Sequence, residues 1–116
     1  MLMKVVSLSV ALPSMQRYDG REVLTGAAKR PVLRAMLRYE NFDGDGQGDQ
    51  VNHGGPDKAV CVYPLDHYAH WERELAREFA PGVMSKNLTV FGAVETEVRI
   101  GDVFHIGGAT VQVSQP

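Results

Sequence analysis

A mainly β fold with one principal helix, α+β in class, is what this chain of 116 residues predicts. Apolar residues alternate with period two along Val6, Leu8, Val10 and Leu12, as in a strand with one buried face. Short apolar runs split by glycine turns fill the stretch from Leu88 onward. Only one segment, from Pro64 to about Phe79, spaces its apolar residues (Tyr68, Trp71, Leu75, Phe79) as a helix does. A twisted barrel or sandwich carrying a helical insert satisfies all three observations.

The first strand covers residues 6–12, and Pro13 ends it. Residues 14–20 read as a loop and Glu22 to Leu24 as a short strand. Val32, Arg34 and Met36 alternate with Leu33, Ala35 and Leu37, a further strand opened by Pro31, where a missing N–H is tolerated. Ala59 to Tyr63 reads as a compact apolar strand. Pro64 and Asp66 suit a first helical turn, the acid complementing the helix dipole, and Pro81-Gly82 closes the helix. Leu88–Val90, Val98–Ile100, Val103–Ile106 and Ala109–Val113 complete the β elements. Gly101-Asp102 and Gly107-Gly108 supply tight turns, the second a two-residue hairpin signal.

The length predicts a single domain over residues 1–116. A net charge of −2 gives no electrostatic case for nucleic acid or an anionic membrane surface. No apolar stretch approaches a membrane span, and the start lacks the pattern of a signal peptide. One cysteine rules out an internal disulfide and fits a cytoplasmic location.

Function is expected in residues 44–58, Gly-Asp-Gly-Gln-Gly-Asp-Gln-Val-Asn-His-Gly-Gly-Pro-Asp-Lys, which hold five glycines and three aspartates. Clustered glycine is costly to order unless backbone must approach something closely or turn with positive φ. Asp43, Asp45, Gln47 and Asp49 alternate like a calcium loop, but Gly54 stands where the closing glutamate belongs. The glycine spacing matches neither a dinucleotide fold nor a P-loop. Within His53-Gly54-Gly55-Pro56-Asp57-Lys58, two glycines could turn successive N–H groups into an anion nest, with Lys58 and His53 adding donors. A plain structured turn with Asp57 and Lys58 solvated explains the same residues about equally well. Lys29 and Arg30 could cover an anion, whereas Arg34 and Arg38 read as a charged strand edge. Cys61 reads as a small core residue. His67, His70 and Glu74 lack a zinc spacing, and no serine or cysteine has a base beside it.

The runs Gly44–Asp49, His53–Cys61, Tyr63-Pro64-Leu65, Asn87-Leu88-Thr89-Val90, Ile100-Gly101-Asp102 and Val113-Ser114-Gln115-Pro116 resemble the MOSC domain. They are most similar to its N-hydroxylaminopurine-resistance (YiiM-like) branch, in the expected order along nearly the whole chain. The resemblance implies a MOSC-type β-barrel that binds the molybdenum cofactor, a pterin dithiolene (molybdopterin). It implies reduction of N-hydroxylated bases and related small molecules, with electrons from a partner reductase. Carried over by position, Thr25, Lys29, His53, Gly54, Gly55, Lys58 and Asn87 are expected to bind the cofactor. A monomer or homodimer is expected.

Two departures stand out. Ser85-Lys86-Asn87 replaces the family's usual Gly-Glu-Asn, exchanging a carboxylate for an ammonium. The family's molybdenum-ligating cysteine lies beyond the Ser-Gln-Pro motif, where this sequence stops, so the domain is expected to be truncated and no catalytic or metal residue is assigned. The alternatives are a sulfur-carrier module in cofactor maturation, or a non-catalytic truncated MOSC domain.

Overall fold

The computed structural model describes residues 3–75, 86–92 and 97–115. Its centre is a four-stranded sheet in the order β4-β1-β6-β5. β1 (Lys4–Val10) pairs antiparallel with β4 (Arg30–Val32) and with β6 (Leu88–Phe91). β5 (Val62–Pro64) runs parallel to β6, as the sole parallel pair among the described residues. Two hairpins flank the sheet: β2 (Ser14–Tyr18) with β3 (Arg21–Thr25), and β7 (Val103–Ile106) with β8 (Ala109–Gln112). Helix α1 (Gln50–His53) lies in the glycine-rich loop, and α2 (Tyr68–Leu75) follows β5 through a 3₁₀ turn at Leu65–His67. The mainly β class with one main helix therefore holds. Among the described residues the strands do not close into a barrel.

Alternation along the two central strands separates the chemistry of the sheet. Leu8 and Val10 of β1 join Leu88 and Val90 of β6 around buried Phe42, with Leu37, Val60 and Ile106 packed alongside. Ser7 and Ser9, and Asn87 and Thr89, fall at the alternate positions. Ser9, Asn87 and Thr89 are all buried. Ser7 Oγ and Ser9 Oγ have no partner among the described residues, whereas the buried Asn87 amide must find its partners internally, because an unsatisfied one costs about 1–3 kcal/mol. That requirement shapes the site below.

Several elements differ from expectation. Residues 14–18 form a strand, not a loop, because Asp19 and Gly20 take φ of +49° and +76°. Two successive positive-φ residues make the turn whose twist matches a hairpin. The strand expected over 32–37 stops at Val32. The chain then folds on itself through a Leu37–Phe42 bridge, reinforced by the paired bonds of Arg38 to Asp43. Ala59 and Val60 precede β5, which runs on through Pro64. Proline is tolerated there because β5 is an edge strand. Val98–Ile100 is no strand: the Asp102 carboxylate accepts from the Arg99 N–H, and Gly101 turns with φ of +94°. The expected helical stretch past Leu75, and the closing Pro81-Gly82, lie outside the described residues.

Candidate functional site

The loop from Gly44 to Lys58 divides into two parts with different work. In the first, glycine permits backbone to touch backbone. A Cβ on Gly48 would lie 2.0 Å from the Leu24 carbonyl oxygen, and one on Gly46 would lie 2.9 Å from the Pro13 ring. Gly46 N–H donates to the Ala11 carbonyl at 3.0 Å. Close approach does explain the glycine cluster, and here the surface approached is the protein's own chain.

This threading delivers Asp45 to the interior. Lys29 Nζ lies 2.7 Å from Asp45 Oδ1, with side chains only 7% and 1% exposed. The same oxygen accepts the Ala11 N–H at 2.9 Å, and Oδ2 accepts Asn87 Nδ2 at 2.9 Å. Asn87 Nδ2 also donates to the Ser9 carbonyl at 3.1 Å, and its Oδ1 accepts the Cys61 N–H at 3.0 Å. Lys29 Nζ reaches the Gly26 carbonyl as well, at 2.8 Å. Thr25 Oγ1 accepts from Ala27 N–H at 3.1 Å, just ahead of that corner. A buried ion pair thus ties β1, the end of β3, the glycine loop and the entry to β6.

The second part is open. Asp49 caps α1, accepting from the N–H groups of Val51 and Asn52 at 3.1 Å each and from the Asn52 side-chain amide at 2.8 Å. Those bonds, the Asn52 amide foremost, hold its carboxyl below the usual aspartate range. His53 is exposed at the end of α1. Gly55 turns with φ of +96°, and nothing lies within 4 Å of where its Cβ would stand. Lys58 N–H donates to the Gly55 carbonyl at 3.0 Å, and the Lys58 ammonium donates to the Asn52 carbonyl. The distant Ser114 and Gln115 both reach this turn: Ser114 Oγ and Gln115 Nε2 donate to the Asp57 carbonyl at 2.5 and 3.3 Å.

The candidates therefore fall into two sets. Lys29 and Asn87 converge on Asp45, with Thr25 at the adjoining corner. His53, Gly54, Gly55 and Lys58 lie in the second turn, which is open at Gly55 but close-packed at Gly54, where a Cβ would lie 2.7 Å from the Gln50 carbonyl oxygen. Asp45 joins the first set and Ser114 the second, though neither is among the residues expected to bind. An aspartate between two glycines (44 and 46) was the available signal for Asp45. A side chain flanked by residues that exist to approach backbone is carried inward with them. Cys61 is half-buried and lies outside the apolar core cluster of the described residues. A groove of about 640 Å³ runs past Leu12, Pro13, Pro31 and Val32, with Arg30 and Gly44 also in its mostly apolar walls, but none of the residues expected to bind the cofactor lines it. Among the described residues no three of His, Cys, Asp or Glu gather to hold a metal ion, and no helix is long and apolar enough to cross a membrane.

A mainly β domain with a polar, glycine-shaped turn beside its central sheet is the class these features define. The MOSC domain model matches residues 49–116, and the chain belongs to that family, in its YiiM-like branch. It is 54% identical over 113 residues to the uncharacterized protein YflK of Bacillus subtilis, covering 97% of this chain and 51% of that one. Protein YiiM of Escherichia coli is 42% identical over 84 residues, 70% of this chain and 38% of its own. The crystal structure of YiiM from Geobacillus stearothermophilus superposes with a TM-score of 0.72 at 33% identity, covering 99% of this chain and 51% of that one. The chain thus spans about half the length, or less, of these relatives.

Proposed function

We propose that this chain is the molybdenum-cofactor-binding part of an oxidoreductase that reduces N-hydroxylated bases and related compounds. The observation that carries the reading is the junction at the Asp57 carbonyl. Two motifs 57 residues apart, His-Gly-Gly-Pro-Asp-Lys and Val-Ser-Gln-Pro, meet there through Ser114 and Gln115. Such convergence serves a shared site better than it serves the core, since both partners are exposed. A fungal relative, 34% identical over 68 residues, carries the name reductase, which agrees with a redox setting.

The fit to an anionic pterin differs between the two residue sets. Gly55 leaves an open, positive-φ backbone, with the His53 imidazole and the Lys58 ammonium within the same turn. Donors of that kind suit an oxyanion or a phosphate. Thr25, Lys29 and Asn87 act from behind, where Asp45 already occupies the amine and the amide. In this reading the turn binds and orients the cofactor, and the buried ion pair keeps the turn in place. Bound cofactor supplies oxygen removal at molybdenum, with electrons from a partner reductase. The four-stranded sheet would form part of a MOSC-type barrel in a cytoplasmic protein.

Reconstitution with molybdopterin and molybdate tests the reading. Near-stoichiometric pterin and molybdenum after gel filtration, with turnover of an N-hydroxylated purine under reducing conditions, is the expected result. Protein that retains neither pterin nor metal overturns it.

A further inference from the structure

Asp45 has no assigned role, yet its carboxylate receives donors from three separated segments: Ala11, Lys29 and Asn87. We propose that Asp45 is a positioning residue which, acting through the Asn87 amide, fixes Cys61 and so sets how the 53–58 turn is presented. The inference rests on the reading of that turn as the cofactor-facing loop.

The argument turns on the polarity of an amide. The two ends of an asparagine side chain have nearly the same shape and opposite hydrogen-bonding character. Around Asn87 the partners are not interchangeable. Cys61 offers an N–H and requires the carbonyl end, whereas the Ser9 carbonyl and Asp45 Oδ2 require the NH₂ end. An ionised carboxylate only accepts, so Asp45 rejects the flipped amide. The Lys29 ammonium at 2.7 Å, together with the Ala11 N–H, holds that charge inside the protein. Once the amide is fixed, Cys61 is gripped from both directions. Its N–H goes to Asn87 Oδ1, and its carbonyl accepts the N–H groups of Asn87 and Leu88 at 2.9 and 3.0 Å. Lys58, three residues earlier, closes the turn through its N–H on the Gly55 carbonyl. An asparagine at position 45 would fill the same space, but it would offer an NH₂ group and leave Lys29 without a counter-charge.

The test is a charge-conserving exchange. Asp45→Asn alone removes the acceptor-only group. Adding Asn87→Asp restores part of the network in reverse: the amide at position 45 donates to a carboxylate at position 87, which still accepts from Cys61, while the Ser9 carbonyl loses its donor. Two readouts are needed, the backbone amide resonances of Cys61 and Gly55, and calorimetric titration with inorganic phosphate. Asp45→Asn is expected to move both resonances and weaken phosphate binding about tenfold, the equivalent of one good hydrogen bond. The exchange variant is expected to return the resonances part of the way to their native positions and recover part of the affinity, since the Ser9 carbonyl stays without its donor. Asp45→Asn that leaves Cys61 and Gly55 unmoved overturns the proposal. If Asp45→Asn does not fold, the double variant Lys29→Met with Asp45→Asn, which leaves no unpaired buried charge, decides: shifted Cys61 and Gly55 resonances support the role, and native-like resonances overturn it. Wild-type protein that ignores phosphate sinks the reading of the turn, while the resonances still judge Asp45.

Discussion

Gly26 and Gly46 meet backbone to backbone: a Cβ on Gly26 would stand 2.0 Å from the Gly46 carbonyl oxygen. No side-chain rearrangement relieves that overlap, because the obstacle is main chain. Gly26→Ala must therefore push the glycine loop away from the end of β3 and disturb Asp45. A loss of about 3 kcal/mol or more in urea-unfolding free energy is expected, in the range of severe overpacking. Gly108→Ala is the control, since nothing lies within 4 Å of its Cβ position. It should change stability by no more than about 0.5 kcal/mol, as exposed substitutions do.

Lys29→Met should be more harmful than its position ahead of a short strand implies. It leaves the Asp45 carboxylate buried beside Ala11 and Asn87 without its cation. Breaking one side of a buried pair costs about 3–5 kcal/mol, more than the pair contributes relative to an apolar replacement. Adding Asp45→Asn to Lys29→Met should recover part of that loss. A double-mutant cycle by thermal or urea unfolding measures the coupling, and additive losses would contradict it.

Local sequence made some of this legible and hid the rest for physical reasons. Leu8 and Val10 announced β1 by alternation, and Gly107-Gly108 announced the β7–β8 turn. Asp19-Gly20 was an equally local hairpin signal, and its left-handed φ values explain why residues 14–18 are a strand. Val98–Ile100 had strand composition, yet the Asp102 bond to Arg99 and the Gly101 turn claimed its backbone. The division of the candidate site was beyond local pattern. Lys29 meets Asp45 across 16 residues, Asp45 meets Asn87 across 42, and Ser114 meets Asp57 across 57. No periodicity records such pairings. Motif resemblance located the residues, whereas only three-dimensional packing separated those on the open turn from those tied into the interior.

The cap on α1 should make this turn sensitive to acid. Asp49 has its carboxyl held low, first by the Asn52 side-chain amide and then by backbone N–H groups. A depressed folded value means that the cap stabilises the fold above the unfolded aspartate value, about 3.9. That contribution fades as pH falls through the lower folded value. Protection of the Val51 and Asn52 amides from exchange, relative to their intrinsic rates, should therefore fall more below about pH 3.9 than that of Gly108. Asp49→Asn, which still caps without titrating, should abolish the difference.

Lys58 and Lys29 should separate binding from stability, although both are lysines beside glycine turns. The Lys58 ammonium makes its one described bond to the exposed Asn52 carbonyl, at the surface of the turn. Water can replace it there, so Lys58→Met should shift the unfolding midpoint in urea by little. If the turn receives an oxyanion, the same change removes a charge-assisted donor, worth about 1.5–3 kcal/mol, and phosphate or molybdate affinity should fall at least tenfold. The remaining affinity should also depend less on salt, because one fewer positive charge is screened. Titration at two ionic strengths, beside urea unfolding of the same variant, measures both quantities. Equal affinity in the variant and the native protein would place the anion elsewhere than at this turn.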